Sequence, residues 1–123
     1  MSLKILAIDD SRTMRNLLRA TLCPAGFDVD IAEDSEDGLK RFDETDPDIV
    51  ITDINMPRLD GFGFIEAARQ RKRNRVVPIL VLSTESGDDM KARARASGAS
   101  GWIVKPFDEE KLLWAIERVA QKG

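Results

Sequence analysis

The sequence predicts an α/β fold built on a doubly wound, five-stranded parallel sheet. Five short apolar runs typical of strands alternate with five segments of helical periodicity, and the loops between them are short. Three of the runs, residues 5–8, 49–51 and 79–82, are continuously apolar, as in strands that are buried on both faces. Strict alternation of this kind is typical of a parallel sheet that has helices on both sides.

The first half of the chain is predicted to supply two strands and two helices. A strand over residues 4–8 is followed by an amphipathic helix that Ser11 opens and that ends near Pro24. Apolar and acidic residues then alternate over 27–31, which indicates a strand with one solvated face. A short helix is expected over 35–42.

The second half is predicted to supply three strands, each followed by a helix. The segments are a strand at 49–51, a helix at 62–72, a strand at 79–82, a helix from Asp88 or Asp89 to Gly98, a strand at 102–104 and a last helix capped by Asp108. The alternating second strand and the short fifth strand belong at the edges of the sheet. The strand order 2-1-3-4-5 with right-handed crossovers follows as the natural arrangement.

Composition and charge indicate one domain spanning residues 1–123, with no effector domain. The net charge is -3 and the pI is about 5.0, which argues against nucleic-acid binding. No signal peptide and no apolar run of membrane-spanning length is visible, so we expect a cytoplasmic protein. The single cysteine, Cys23, is expected to be a small, at least half-buried residue, and the absence of histidine removes the commonest general base.

Acidic residues follow two of the apolar runs at the point where each strand ends. Asp9 and Asp10 come directly after the first run, and Asp53 comes after the third. Ligands bind at this edge of open α/β sheets, and three carboxylates placed there repel one another unless a cation lies among them. Helix capping is the alternative reading of Asp9 and Asp10, but Ser11 already supplies a cap. The pattern therefore favours a cation site and phosphate chemistry.

In these features the chain resembles the receiver domains of two-component response regulators, most closely their stand-alone CheY-like chemotaxis form. The resemblance covers essentially the whole chain. It depends on the Asp9–Asp10 pair, the stretch 53–61 (DINMPRLDG), Ser83 after the fourth strand, and Lys105-Pro106-Phe107 after the fifth. It implies the flavodoxin-like (βα)5 fold, whose 2-1-3-4-5 strand order is already well known for CheY-like proteins.

The resemblance also implies a chemical role for each of these residues. Asp53 would be phosphorylated by a histidine kinase, with Mg²⁺ bound by Asp10, Asp53 and the main-chain carbonyl of Asn55, and with Asp9 assisting through water. Ser83 takes the position of the switch hydroxyl and Lys105 that of the invariant lysine, whose bond to Pro106 is expected to be cis. Carboxylate and carbonyl oxygens suit Mg²⁺ and suit zinc poorly.

Further positions are candidates for signalling and for control of the phosphoryl lifetime. Trp102 stands where the family usually has Tyr or Phe, and we expect it to move inward when Ser83 turns toward the phosphoryl group. Asn55 and Glu85, each two residues after a site residue, are candidates for tuning dephosphorylation. In the turn at 60–61, we expect Gly61 to supply a positive φ.

The expected partner face lies on the fourth helix, the fifth strand and the fifth helix. Its candidate residues are Lys91, Arg93, Arg95, Trp102 and Trp114. For the three basic residues, plain solvation is the alternative. For Trp114, the alternative is partial burial under a neighbouring side chain.

The sequence therefore predicts a monomeric response regulator that is not an enzyme beyond its own phosphotransfer and dephosphorylation. Its expected output is binding to the flagellar motor switch in chemotaxis. One alternative is a phosphate sink for the kinase, and a second is a Mg²⁺-dependent small-molecule phosphatase, although the chain lacks a D-x-D block and room for a cap. A nucleotide-binding switch would need a G-x-x-x-x-G-K-[ST] motif, which is absent.

Overall fold

The structure, a computed structural model, describes residues 2–120, in which five strands alternate with five helices. In chain order the elements are β1 (Lys4–Ile8), α1 (Arg12–Leu22), β2 (Asp28–Ala32), α2 (Ser35–Thr45), β3 (Ile49–Thr52), α3 (Gly61–Arg69), β4 (Ile79–Ser83), α4 (Asp88–Ser97), β5 (Gly101–Val104) and α5 (Glu109–Ala120). No helix within residues 2–120 is long and apolar enough to cross a membrane.

All neighbouring strands pair in parallel in the order β2-β1-β3-β4-β5, which confirms the predicted fold class. The residues of β3 and β4 are all buried, and those of β1 are buried after Lys4, whereas β5 at one edge is only partly covered. The register pairs Ile8 with Thr52 and Ser83 with Val104. The carboxyl ends of the inner strands therefore meet at one edge.

Two hydrophobic cores lie on opposite faces of the sheet. One contains Phe42 of α2, Phe64 of α3 and Ala94 of α4, and the rings of Phe42 and Phe64 meet edge to face with centroids 6.2 Å apart. The other contains Leu18 of α1 and Ile116 of α5. Because helices cover both faces of the sheet, the strand ends are held in place, and so are the residues that directly follow them.

Some helix boundaries differ from the sequence-based expectation. Helix α2 continues past Phe42 to Thr45 and ends where Asp46 adopts a left-handed conformation with φ of 52°. Helix α3 ends at Arg69 because the main-chain N–H of Gln70 bonds the carbonyl of Ala67, three residues back, which tightens the last turn.

Cys23 is exposed, so the expectation of a buried or half-buried thiol is wrong. It caps the carboxyl end of α1, where its main-chain N–H donates to the carbonyl of Arg19. Cys23 lies just beyond the last helical residue, so it no longer belongs to the apolar face of α1. Periodicity alone does not predict at which residue a helix ends.

Candidate functional site

The end of β1 and the end of β3 bring two carboxylates side by side. The N–H of Asp53 donates to the carbonyl of Ile8 at 3.0 Å, so the sheet ladder continues for one residue past the strands. On the other side, the N–H of Asp9 donates to the carbonyl of Ala32 at 3.1 Å. The backbones at Asp9 and Asp53 are therefore fixed by neighbouring strands.

Three acidic side chains form a compact cluster at this edge. One ligand atom each from Asp9, Asp10 and Asp53 lies within 4.8 Å of the other two. Asp9 is 1% exposed and Asp53 7% exposed, whereas Asp10 is exposed to solvent. The cluster that the sequence predicted from the ends of two strands, β1 and β3, is thus formed.

Lys105 bridges the two buried carboxylates. Its Nζ lies 2.7 Å from Oδ2 of Asp9 and 2.9 Å from Oδ2 of Asp53, although the three residues are far apart in sequence. The peptide bond between Lys105 and Pro106 is cis, as expected. The remaining oxygen of each carboxylate also accepts a main-chain N–H, from Ser11 to Asp9 at 2.9 Å and from Ile54 to Asp53 at 2.7 Å.

Burial and charge act on this cluster in opposite directions. Burial raises the pKa of Asp9 above its ordinary 3.8, and hydrogen bonds from Lys105 and the Ser11 N–H reverse only part of that effect. Burial by itself would lower the pKa of Lys105, but hydrogen bonds to Asp9 and Asp53 and the charges of both carboxylates raise it above 10.5. Lys105 is therefore a firmly held cation, and one ammonium does not fully compensate the buried acids.

The donor set of the cluster fits a hard divalent cation. All three side chains offer carboxylate oxygens, and the chain has no histidine to compete as a softer ligand. Asp10 takes part in none of the salt bridges among residues 2–120. An exposed carboxylate beside two buried ones can therefore hold a cation that keeps part of its water shell, as Mg²⁺ does.

Gly61 is required by a close approach, not by its backbone angle. A Cβ on Gly61 would lie 2.2 Å from the main-chain oxygen of Asp53 and 2.8 Å from Cα of Ile54. Its φ is not positive, so the expectation of a left-handed glycine is wrong. The first turn of α3 packs directly on the backbone that carries Asp53, and the N–H of Gly61 donates to the carbonyl of Ile54 at 2.9 Å.

Ser83 lies at the end of β4, beside the cluster in the sheet. It is fully buried, its carbonyl accepts the N–H of Lys105 at 2.8 Å, and its Oγ accepts the N–H of Glu85 at 3.2 Å. The carbonyl of Glu85 in turn accepts the indole N–H of Trp102 at 2.9 Å. Glu85 thus connects the Ser83 hydroxyl to the Trp102 ring through its main chain, while its own side chain and that of Asn55 are exposed.

The candidate partner residues, apart from Arg93, line two neighbouring pockets that share Trp102. Trp102 and Trp114 line one groove of about 540 Å³, and Trp102 also lines a smaller pocket with Lys91 and Arg95. Trp114 is 60% exposed, and the Arg118 guanidinium lies 5.0 Å from its ring centroid.

Arg93 does not join these grooves. Its guanidinium lies 4.1 Å from the ring centroid of Phe62, on the α3 side of α4. Phe62 is itself buried in the core beneath it. Arg93 therefore contributes to packing between α3 and α4.

One feature near the site was not anticipated from the sequence. Arg58, in the loop between β3 and α3, has φ of 67° and pairs with Asp34 at 3.0 Å. Asp34 also caps α2 by accepting the N–H of Asp37. The pair joins two loops that are 24 residues apart, and no local sequence signal reveals such a contact.

The sequence is similar to those of proteins whose family is known. Residues 5–117 match the family of response regulator receiver domains. Protein PilG of Pseudomonas aeruginosa is 37% identical over 94% of this chain and 85% of its own length, and a probable chemotaxis protein CheY of Rhizobium etli is 36% identical over 95% of this chain and 92% of its own length.

Solved structures give the same result. Chemotaxis protein CheY4 of Vibrio cholerae superimposes with a TM-score of 0.93 at 39% identity, covering 97% of this chain and 99% of that one. A response regulator of Burkholderia multivorans is 48% identical with a TM-score of 0.79, covering 98% of this chain and 96% of that one. Fold, site and comparisons together assign the chain to the response regulator receiver domain family.

Proposed function

We propose that this protein is cytoplasmic and accepts a phosphoryl group on Asp53 from a histidine kinase in a Mg²⁺-dependent reaction. Asp10, Asp53 and the main-chain carbonyl of Asn55 would hold the ion, and Asp9 would assist through water. The observation that carries the proposal is the position of Lys105, whose Nζ lies 2.9 Å from Asp53 and 2.7 Å from Asp9 within a cluster of three acids.

Oδ2 of Asp53 is the proposed nucleophile. A new oxygen–phosphorus bond forms on Asp53 while the bond between phosphorus and its donor nitrogen breaks, and the electron pair leaves with that nitrogen. Lys105 already touches Oδ2, so its ammonium is placed to stabilise the charge of the transferred group. Bound Mg²⁺ supplies further charge neutralisation to the phosphoryl oxygens.

The charge of the site supports a switch at Ser83. Three carboxylates balance one ammonium and one divalent cation, and phosphorylation replaces the single charge of Asp53 with about two. The extra negative charge attracts a hydrogen-bond donor, and the Ser83 hydroxyl is the nearby candidate on β4. Because Ser83 Oγ accepts the Glu85 N–H, a rotation toward the phosphoryl group would release that bond and loosen the loop that holds Trp102.

Incubation with acetyl phosphate and Mg²⁺, followed by mass analysis in acid, tests the proposal. We expect one added phosphoryl group in the wild type and none in Asp53→Asn or after chelation of Mg²⁺. Asp10→Asn should weaken Mg²⁺ binding by at least about tenfold because it removes one of few carboxylate ligands. Glu36→Gln, which removes an exposed acid from α2, is the matched control and should bind Mg²⁺ normally.

Asn55 and Glu85 are proposed to set how long the phosphoryl group lasts. Both side chains are exposed beside the site, so they control the approach of the water that attacks phosphorus. Asn55→Leu should lengthen the phosphoryl lifetime because it removes an amide that orients water and adds an apolar barrier. An unchanged decay rate would exclude this role for Asn55.

The proposed output is binding to the flagellar motor switch in chemotaxis. It is supported by relatives described as chemotaxis proteins in Rhizobium etli, Helicobacter pylori and Vibrio cholerae. A pull-down with motor-switch components should recover the phosphorylated protein and little of the unphosphorylated one. If phosphorylation changes nothing in the pull-down while the protein drains phosphoryl groups from its kinase, the function is that of a phosphate sink.

A further inference from the structure

Arg15 contacts the backbone of the acidic cluster and not its carboxylates. Its Nη1 donates to the main-chain carbonyl of Asp9 at 2.7 Å, from the second turn of α1 back to the end of β1. That carbonyl belongs to the peptide group joining Asp9 to Asp10. Arg15 therefore holds the peptide plane between the two acids of the cluster.

Other hydrogen bonds fix the turn between β1 and α1, but they involve atoms other than the Asp9 carbonyl. Asp9 is fixed at its N–H by the Ala32 carbonyl and at Oδ1 by the Ser11 N–H. The Ser11 hydroxyl accepts the N–H of Met14 and begins α1. Among the hydrogen bonds of residues 2–120, Arg15 supplies the one that reaches the Asp9 carbonyl. The direction in which Asp10 leaves the backbone depends on that peptide plane.

The positive charge of Arg15 by itself would disfavour binding of a divalent cation to the acidic cluster. Arg15 takes part in none of the salt bridges among residues 2–120, although it shares a groove with Glu33, Asp34, Glu36 and Asp37. Its charge neutralises part of the field that attracts a divalent cation to the cluster. Arg15 thus opposes cation binding by its charge and favours it through geometry.

We propose that Arg15 is a positioning residue, which orients the Asp9–Asp10 peptide so that the Asp10 carboxylate reaches the cation site. This inference rests on the proposed Mg²⁺-dependent function. Arg15 does not touch the ion or the phosphoryl group in this account, and it acts only through the backbone of the two acids. Its loss should weaken Mg²⁺ binding even though a repulsive charge disappears.

Calorimetric titration with Mg²⁺ alone, without a phosphodonor, separates geometry from charge. Arg15→Met should weaken Mg²⁺ binding by about tenfold, as is typical when a group that orients metal ligands is lost. Arg12→Met is the matched control, because Arg12 is exposed on the first turn of α1 and its side chain makes no hydrogen bond or ion pair with any of residues 2–120. It removes the same charge from the same helix and should leave Mg²⁺ binding unchanged or slightly tighter.

A conservative variant tests the role of the hydrogen bond itself. Arg15→Lys keeps both a charge and a donor for the Asp9 carbonyl, so we expect it to restore most of the affinity lost in Arg15→Met. Urea unfolding without Mg²⁺ shows whether each variant is folded. Should Arg15→Met fail to fold, Arg15→Gln takes its place, since it lacks the charge and has a shorter side chain, and the same weakening is expected.

The outcomes distinguish this inference from the function on which it rests. Wild-type protein that binds no Mg²⁺ overturns the proposed function itself. Wild-type protein that binds Mg²⁺, together with a folded Arg15→Met or Arg15→Gln variant that binds it equally or more tightly, overturns the role of Arg15 alone. Tighter binding would show that Arg15 acts on the site through its charge only, and equal binding that it has no net effect on the site.

Discussion

The indole nitrogen of Trp102 donates a 2.9 Å hydrogen bond to the main-chain carbonyl of Glu85. The main-chain N–H of Glu85 donates to the Ser83 hydroxyl at 3.2 Å. A tyrosine or phenylalanine at position 102 has no N–H with which to make the indole contact. In this chain the aromatic residue on β5 is thus tied directly to the loop that follows the switch hydroxyl.

Phosphorylation should change the fluorescence of Trp102, because rotation of Ser83 releases the Glu85 N–H and shifts the carbonyl that holds the indole. Trp114→Phe leaves Trp102 as the sole reporter, and its emission should change when Mg²⁺ and acetyl phosphate are added. Trp102→Phe, which keeps the exposed Trp114, is the control and should respond little. Constant emission in Trp114→Phe would show that Trp102 is not coupled to the site.

Lys105 should stabilise the folded protein as well as the transferring group. Lys105→Met leaves two buried carboxylates without their cation, and the free energy of unfolding should fall by about 3 kcal/mol in the absence of Mg²⁺. Urea denaturation provides the measurement. Adding Asp9→Asn to this variant should recover part of the loss because it removes one of the uncompensated charges. Equal stability of Lys105→Met and wild type would contradict the importance of the ion pairs.

The raised pKa of Asp9 predicts a specific dependence of stability on pH. An acid whose pKa is raised on folding contributes its stability below the unfolded value of 3.8, and that contribution is lost as pH rises through the folded pKa. In metal-free protein, Asp9→Asn should therefore gain stability relative to wild type as pH rises above 3.8. Urea titrations of both proteins between pH 4 and neutrality test the sign. A constant difference would mean that burial of Asp9 does not disfavour its charge.

The contribution of Lys105 to stability depends on pH in the same direction, but its loss falls at the alkaline end. Its pKa is raised above 10.5, so its contribution is complete below that value and is lost as pH rises through the folded pKa. The comparison of Asp9→Asn with wild type is therefore best made below pH 8, where Lys105 stays charged in both states.

Gly61 should tolerate no side chain. Gly61→Ala would place its Cβ 2.2 Å from the Asp53 carbonyl oxygen, so α3 or the Asp53 backbone must move, and we expect a loss of about 3 kcal/mol in stability. Gly87→Ala is the matched control, because nothing lies within 4 Å of a Cβ at that position and its φ is -66°. Similar unfolding curves for the two variants would contradict the close packing at Gly61.

The main parts of the site could be predicted because each follows a strand. Asp9, Asp53, Ser83 and Lys105 stand at the carboxyl ends of four different strands, and parallel strands bring those ends to one edge. The strands themselves were clear because the inner ones are continuous apolar runs. Topology alone therefore assembled the cluster.

The remaining contacts depend on details that a sequence does not encode locally. The Arg15 bond to the Asp9 carbonyl needs a particular rotamer, and the Arg58–Asp34 pair needs a left-handed residue in one loop to face the next. The sequence indicated that a glycine is needed at position 61. The cause is the short distance between Gly61 and the Asp53 backbone, and not a positive φ angle. Such distances follow from how helices pack on strand ends, which no single segment of sequence specifies.

The most direct test of the central claim is to locate the phosphoryl group. Protein treated with acetyl phosphate and Mg²⁺ is reduced with borohydride, which converts an acyl phosphate on aspartate to homoserine, and is then mapped by peptide mass analysis. We expect homoserine at position 53 and at no other acid. Recovery of unmodified Asp53, with phosphate on a hydroxyl side chain or on Asp9 or Asp10, would contradict it.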